Sequence, residues 1–172
     1  LNNFRDFISF ILAKQKKIKV TFMPLNANHE LTLDIVKKSI TKHTKVISIA
    51  AVTNVVGDIR PIHEIGKLAA AKNILFVVDG AQSVAHTPTD VEKDHIDFLA
   101  FSAHNMLGPT GVGVLYAKEK YLEAMRPLTF GGGMNQSFEE DGSVEYKSIP
   151  TRLEGGTPPI AEVIGLGAAV KY

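Results

Sequence analysis

Two spacings of apolar residues alternate along this chain, one helical and one strand-like. Phe4, Phe7, Ile8, Ile11 and Leu12 recur at helical spacing, with Lys14, Lys16 and Lys17 in the last turn, predicting an amphipathic helix packed on a core. A helix lying on a membrane surface would carry the same pattern. Residues 18–25 (IKVTFMPL) read as a strand, closed by Pro24 and a turn at Asn26-Ala27-Asn28. Leu31, Ile35, Val36 and Ile40 predict a helix with Thr32 as its cap. Buried strands follow at 45–52, ending at Thr53-Asn54, and at 74–78 and 97–101. A further strand covers 112–116. The loop 55–61 leads into a helix over 62–72 with apolar Ile65, Leu68 and Ala69.

Continuous apolar runs between small and polar residues suit parallel strands buried on both faces. Strands alternating with helices at this spacing predict an α/β fold, three layers deep, with a mostly parallel sheet. The link from Asn105 to Gly111 is too short for a parallel crossover, so the strand after it should run antiparallel. Glu119 to Met125 reads as a short helix, and Gly131-Gly132-Gly133 opens a polar stretch to Ser148 that reads as a mobile loop or interface arm. Pro158-Pro159 begins a last helix carrying Ile160, Val163, Ile164 and Leu166.

At 172 residues and 45% hydrophobic content the chain can bury one sizeable core. A net charge of +1 argues against nucleic acid or an anionic membrane as the main partner. No apolar run approaches the roughly 18 residues of a spanning helix. With no cysteine, these residues hold no disulfide, thiolate metal site or cysteine nucleophile, and a cytoplasmic setting is the default expectation. The first residue is not methionine and the last lie inside an apolar helical pattern, so residues 1–172 read as part of one domain of a longer protein.

Chemistry concentrates between Phe76 and Gly113. The run Phe76-Val77-Val78 enters Asp79-Gly80-Ala81-Gln82, and Phe98-Leu99-Ala100-Phe101 enters Ser102-Ala103-His104-Asn105. In open parallel sheets ligands bind outside the carboxyl ends of the strands, so an acid, an amide, a hydroxyl and an imidazole are delivered to one rim. Each has an ordinary alternative: Asp79 as a turn residue, Gln82 as a helix cap, His104 as a structural histidine. Gly108, Gly111 and Gly113 allow a tight turn but enter a strand, which excludes a dinucleotide fingerprint. His29, His43, His63, His86 and His95 lack metal-ligand spacing.

Asp-Gly-Ala-Gln, then about twenty residues, then Phe-Ser-Ala-His and Gly-Pro-Thr-Gly-Val-Gly resembles the pyridoxal 5'-phosphate site of the cysteine desulfurases, the SufS/CsdA-like group of the class V aminotransferases. The likeness runs from about Val20 onward and implies the large domain of a fold type I transferase. It implies that Asp79 faces the pyridine nitrogen, Gln82 the phenolic oxygen, and Ser102 and His104 the phosphate, with Asn54 near the cofactor. Arg152 to Pro158 resembles a segment whose threonine reaches the phosphate of a neighbouring subunit, so Thr157 is a candidate contact in a homodimer; capping the following helix is its alternative. Cysteine would be the small amino-acid substrate and alanine the product. The sulfur would pass to an enzyme persulfide and an acceptor protein, in service of iron–sulfur cluster assembly.

One position departs from the pattern. The family's Schiff-base lysine directly follows the histidine, and here that catalytic position beside His104 is Asn105. A carboxamide is neither basic nor nucleophilic, so it can neither join the cofactor covalently nor move a substrate proton. Neither Lys93 nor Lys118 is placed to substitute. Asn2-Asn3 stands nearest to where the family has a histidine pair, and the family's catalytic cysteine and carboxylate-binding arginine fall beyond Tyr172. The expectations are therefore an impaired desulfurase-like protein, another class V enzyme, or a non-catalytic scaffold that binds cofactor or a partner protein.

Overall fold

The computed structural model describes residues 14–15 and 18–172, which divide into two units, 1–44 and 45–172. The helix predicted over 4–12 and the Asn2-Asn3 pair lie outside the described residues. In the first unit, residues 18–25 form no strand, contrary to their pattern. A strand exists only where a neighbour takes its backbone bonds, and this segment finds none among the described residues. The turn after it is as predicted: the Asn26 side chain accepts from the Asn28 and Glu30 amides at 2.9 and 2.8 Å. Helix α1 (Leu33–Ser39) starts at Thr32, whose hydroxyl accepts from the Ile35 amide. Asp34 in its first turn and Lys37 and Lys38 in its last complement the helix dipole.

The second unit is built on a four-stranded sheet of β1 (Val46–Ala50), β2 (Leu75–Asp79), β3 (Phe98–Ser102) and β4 (Gly113–Ala117), in that spatial order. The first three are parallel, and β4 pairs antiparallel with β3, Ser102 opposite Gly113. The short link forces this reversal, as its length predicts. β1 reaches β2 through helix α2 (Ile62–Ala71), whereas β2 reaches β3 through a series of turns. The architecture is α/β with a mostly parallel sheet and one antiparallel edge.

Burial within the sheet alternates, which corrects the expectation of strands buried on both faces. Ile47, Ile49, Phe76, Val78 and Leu99 are buried, while Leu75, Val77 and Phe98 between them are half-buried. α2 supplies Ile65 and Ala69 to the buried core. Each large side chain fully withdrawn there contributes about 1.5–3 kcal/mol. Gly66 brings α2 close: an added Cβ would lie 1.9 Å from the Asp94 carbonyl oxygen and 3.2 Å from the Phe76 ring. On the other face Tyr121, from helix α3 (Glu119–Ala124), stacks on Phe98 with centroids 5.3 Å apart. That face is less fully covered, so its apolar residues keep some exposure.

The polar stretch from Gly131 is a hairpin rather than a loop, β5 (Asn135–Phe138) pairing antiparallel with β6 (Val144–Tyr146). Asp141-Gly142 at its turn is the signal that marks it. Buried Met134 anchors its base. Helix α4 (Ile160–Lys171) is apolar almost all round yet has no fully buried residue. A helix of that composition suits the interior of a larger body. Among the described residues no helix is long and apolar enough to cross a membrane.

Candidate functional site

The carboxyl ends of β1, β2 and β3 share one rim because the three strands are parallel and in register. Asp79 lies opposite Ala50 on one side and Ala100 on the other. Its carbonyl accepts from the Ala51 amide at 2.9 Å, and the Gly80 amide donates to the Ala100 carbonyl at 2.8 Å. These bonds carry the pairing one residue past each strand and fix where the side chain starts. The Asp79 carboxylate is half-buried, and its Oδ1 accepts from the Ala81 amide at 3.0 Å. The turn role is therefore real, and Oδ2 has no partner among the described residues. Gln82 follows, half-buried, in a turn where the Ser83 and Val84 amides both donate to the Gly80 carbonyl.

Ser102 ends β3 two residues beyond the partner of Asp79. Strand geometry puts the Asp79 and Ser102 Cα atoms about 8 Å apart, from a 4.8 Å strand spacing and 3.3 Å per residue. A four-residue 3₁₀ helix, Ala103–Met106, continues the chain. It leaves His104 exposed and brings the half-buried Asn105 back over Ser102, with Asn105 Nδ2 donating to Ser102 Oγ at 3.1 Å. Leu107 then turns the chain at φ 62°, its amide on the Ala103 carbonyl, and Gly111 beyond Pro109 takes a second positive φ of 84°. Gly108 is needed for space: a Cβ there would meet Ala103 Cβ and carbonyl oxygen at 2.9 Å.

Asn54 is exposed in the turn after β1, at the same rim. Thr53 Oγ accepts from the Asp58 amide at 2.9 Å and shapes this turn. Arg60, unmarked by any sequence motif, pairs with Asp58 at 3.4 Å and stays mostly buried beside the end of β1. Thr157 is exposed on the segment before α4 and, among the described residues, hydrogen-bonds none of the rim residues. Its alternative as a helix cap is corrected, because the N-cap of α4 is Pro159 with no side-chain cap, Pro158 and Pro159 having set the entry. That segment is held by the Gly156 amide on the Gly132 carbonyl at 2.9 Å and by Arg152, whose guanidinium donates to the carbonyls of Leu122 and Glu123 at the end of α3.

Lys118 lies at the opposite end of the sheet, its amine 2.7 Å from Asp97 Oδ1, and cannot serve the rim. Beside Asn105 opens a largely apolar groove of about 760 Å³, bordered by Val84, Pro88, Phe101, Met106 and Val170. The rim thus offers one free carboxylate oxygen at one point, and a hydroxyl, an imidazole and a carboxamide about one strand further along. An anionic oxygen at one end with hydrogen-bonding groups at the other suits a small ring bearing a basic nitrogen and an acidic substituent.

A model of the aminotransferase class V family matches residues 10–172. A probable cysteine desulfurase of Halalkalibacterium halodurans is 43% identical over 161 residues, 94% of this chain and 39% of the relative. One from Staphylococcus aureus is 40% identical over the same shares. Among solved structures, the cysteine desulfurase CsdA of Escherichia coli superposes with a TM-score of 0.88 at 40% identity, over 94% of this chain and 40% of that one. The cysteine desulfurase of Thermococcus onnurineus gives 0.89 at 38% identity, over 97% and 42%. The chain spans about two fifths of the length of these relatives.

Proposed function

Because the chain belongs to the class V aminotransferase family, we propose that the carboxyl rim of its sheet is the pyridoxal 5'-phosphate site of a cysteine desulfurase-like protein. The supporting observation is the pairing of adjacent strand ends: the half-buried Asp79 on β2 and the Ser102–His104–Asn105 corner on β3. The donor set fits the cofactor. Asp79 Oδ2 is free to hold a protonated ring nitrogen while Oδ1 stays on Ala81. Gln82 can donate to the phenolic oxygen, and Ser102 and His104 to the phosphate, with Asn54 beside the ring. When bound, pyridoxal phosphate supplies an electron sink for a carbanion next to an amino group.

In this reading the site binds and orients the cofactor without attaching it. Asn105 offers a delocalised amide where covalent attachment and proton transfer require an amine. Release of sulfur from cysteine, the substrate implied by the relatives' name, is therefore impaired in this chain as it stands. Thr157, exposed on the segment before α4, serves the phosphate of a second subunit in a homodimer, and an acceptor protein in cytoplasmic iron–sulfur cluster assembly takes the sulfur. The competing reading, a scaffold that binds cofactor but does not turn over, rests on the same asparagine.

The test is borohydride reduction of the full-length protein saturated with pyridoxal phosphate, followed by mass spectrometry of the peptide holding residue 105. The reading expects cofactor that dialyses away and no adduct in the wild-type chain, and an adduct at position 105 in Asn105→Lys. Sulfide release from cysteine by Asn105→Lys would favour an impaired enzyme over a scaffold. An adduct on the wild-type peptide would overturn the account of Asn105.

A further inference from the structure

The contact between Asn105 and Ser102 does more than fill the place of a missing lysine. We infer that Asn105 is a positioning residue that sets the Ser102 hydroxyl as a donor toward a bound phosphate, so that this corner of the rim recognises the phosphoryl group of its ligand without a covalent link. The inference rests on the cofactor reading above and deepens it.

Ser102 and Asn105 are three residues apart across the start of a 3₁₀ turn, a geometry in which side chains at i and i+3 eclipse. Asn105 Nδ2 lies 3.1 Å from Ser102 Oγ, and both residues are half-buried. A serine hydroxyl has one proton and two lone pairs, and its rotor follows whatever surrounds it. An amide N–H on one lone pair leaves the proton free to point away from Asn105. A phosphate dianion accepts hydrogen bonds and donates none, so a hydroxyl held as donor is the useful form. Ser102 has no other side-chain partner among the described residues, so its proton is not already engaged. A lysine ammonium could also have donated to Ser102, but a lysine joined to the cofactor could not remain free to do so. The asparagine therefore gains a fixed role at the phosphate corner where it loses one at the ring.

The experiment compares affinities of the full-length protein for pyridoxal phosphate and for pyridoxal, which lacks only the phosphate. These are measured by fluorescence titration in the wild type, Asn105→Ala, Asn105→Asp, Ser102→Ala and the double Asn105→Ala, Ser102→Ala. The wild type should prefer the phosphorylated ligand. Asn105→Ala should cut that preference by about three- to tenfold, the range of one neutral hydrogen bond, and leave pyridoxal binding unchanged. Asn105→Asp keeps the shape but offers an acceptor, which turns the hydroxyl proton inward and repels phosphate, so its loss should be larger. In the Ser102→Ala background Asn105→Ala should add nothing. Equal weakening of both ligands in Asn105→Ala would show a merely structural role and overturn the inference, as would an unchanged preference in Asn105→Asp or full additivity in the double variant. If the wild type binds neither ligand, the cofactor reading falls with it. If it binds both alike, only the phosphate role falls.

Discussion

The two ends of the central sheet treat their polar residues in opposite ways. At the amino end, Asp97 is buried and both its oxygens are engaged, Oδ2 by the Phe76 amide at 2.9 Å and Oδ1 by Lys118 at 2.7 Å. The Asp97 backbone is closed too, its amide on the Phe76 carbonyl and its carbonyl accepting from the Lys118 amide. At the carboxyl rim, Asp79 is half-buried with one oxygen engaged, His104 is exposed, and Ser102 has a partner that leaves its proton free. Two aspartates, one ending β2 and one just before β3, thus sit in different surroundings. The closed one locks the sheet's amino end together, and the open one keeps an oxygen without a partner among the described residues.

The comparison breaks most plainly if the two aspartates respond alike. Asp97→Ala leaves the Phe76 amide and the Lys118 amine without their carboxylate, and should cost about 3 kcal/mol in a urea unfolding curve. Asp79→Ala removes one turn bond and should cost about 1 kcal/mol or less in the same measurement. Equal losses would dissolve the distinction between the ends. At the closed end, Gly66→Ala should cost about 1–3 kcal/mol, because its Cβ would collide with the Asp94 carbonyl and backbone must move. A calorimetric Tm within error of the wild type would mean that α2 leaves room for a methyl group above the Asp94 carbonyl.

Smaller effects sharpen the picture of the rim. Leu107 is a bulky residue in a left-handed conformation with its side chain largely exposed, so Leu107→Gly relieves strain and forfeits little burial. A stability gain of under about 1 kcal/mol is expected, part of the relief being offset by the freedom of glycine in the unfolded chain. The weakest response belongs to the hairpin tip. Bonds from Ser143, through its side chain first and its backbone second, hold the Asp141 carboxyl below its ordinary value of 3.8. A depressed carboxyl stabilises the fold above its unfolded pKa and loses that contribution as pH falls through the folded one. Amide exchange at Ser143 should therefore quicken, relative to its intrinsic rate, as pH drops below that range, and only locally.

Most of the fold was legible because its strands are short apolar runs with polar ends, and the antiparallel turn of β4 followed from a link too short to cross over. Residues 18–25 misled because apolar content marks a strand only if a neighbour exists to pair with it. The hairpin at 135–146 was hidden by glycines and polar residues, although Asp141-Gly142 marked its turn. The rim was legible as a motif, Asp79 to Gln82 and Ser102 to Asn105, since residue order along parallel strands fixes which end each residue occupies. What order alone could not give was a distance between side chains three residues apart, and so the Asn105–Ser102 bond emerged only from the 3₁₀ turn. Arg60 and Leu107 escaped for the same reason: neither residue type announces a turn or a buried ion pair.

The most direct measurement is the affinity of the full-length protein for pyridoxal phosphate, wild type against Asp79→Ala, with the unfolding free energy of each followed alongside. The open-rim account predicts binding weakened roughly tenfold or more by loss of a charged hydrogen bond, with stability changed by about 1 kcal/mol or less. Unchanged affinity in a folded Asp79→Ala protein would contradict it.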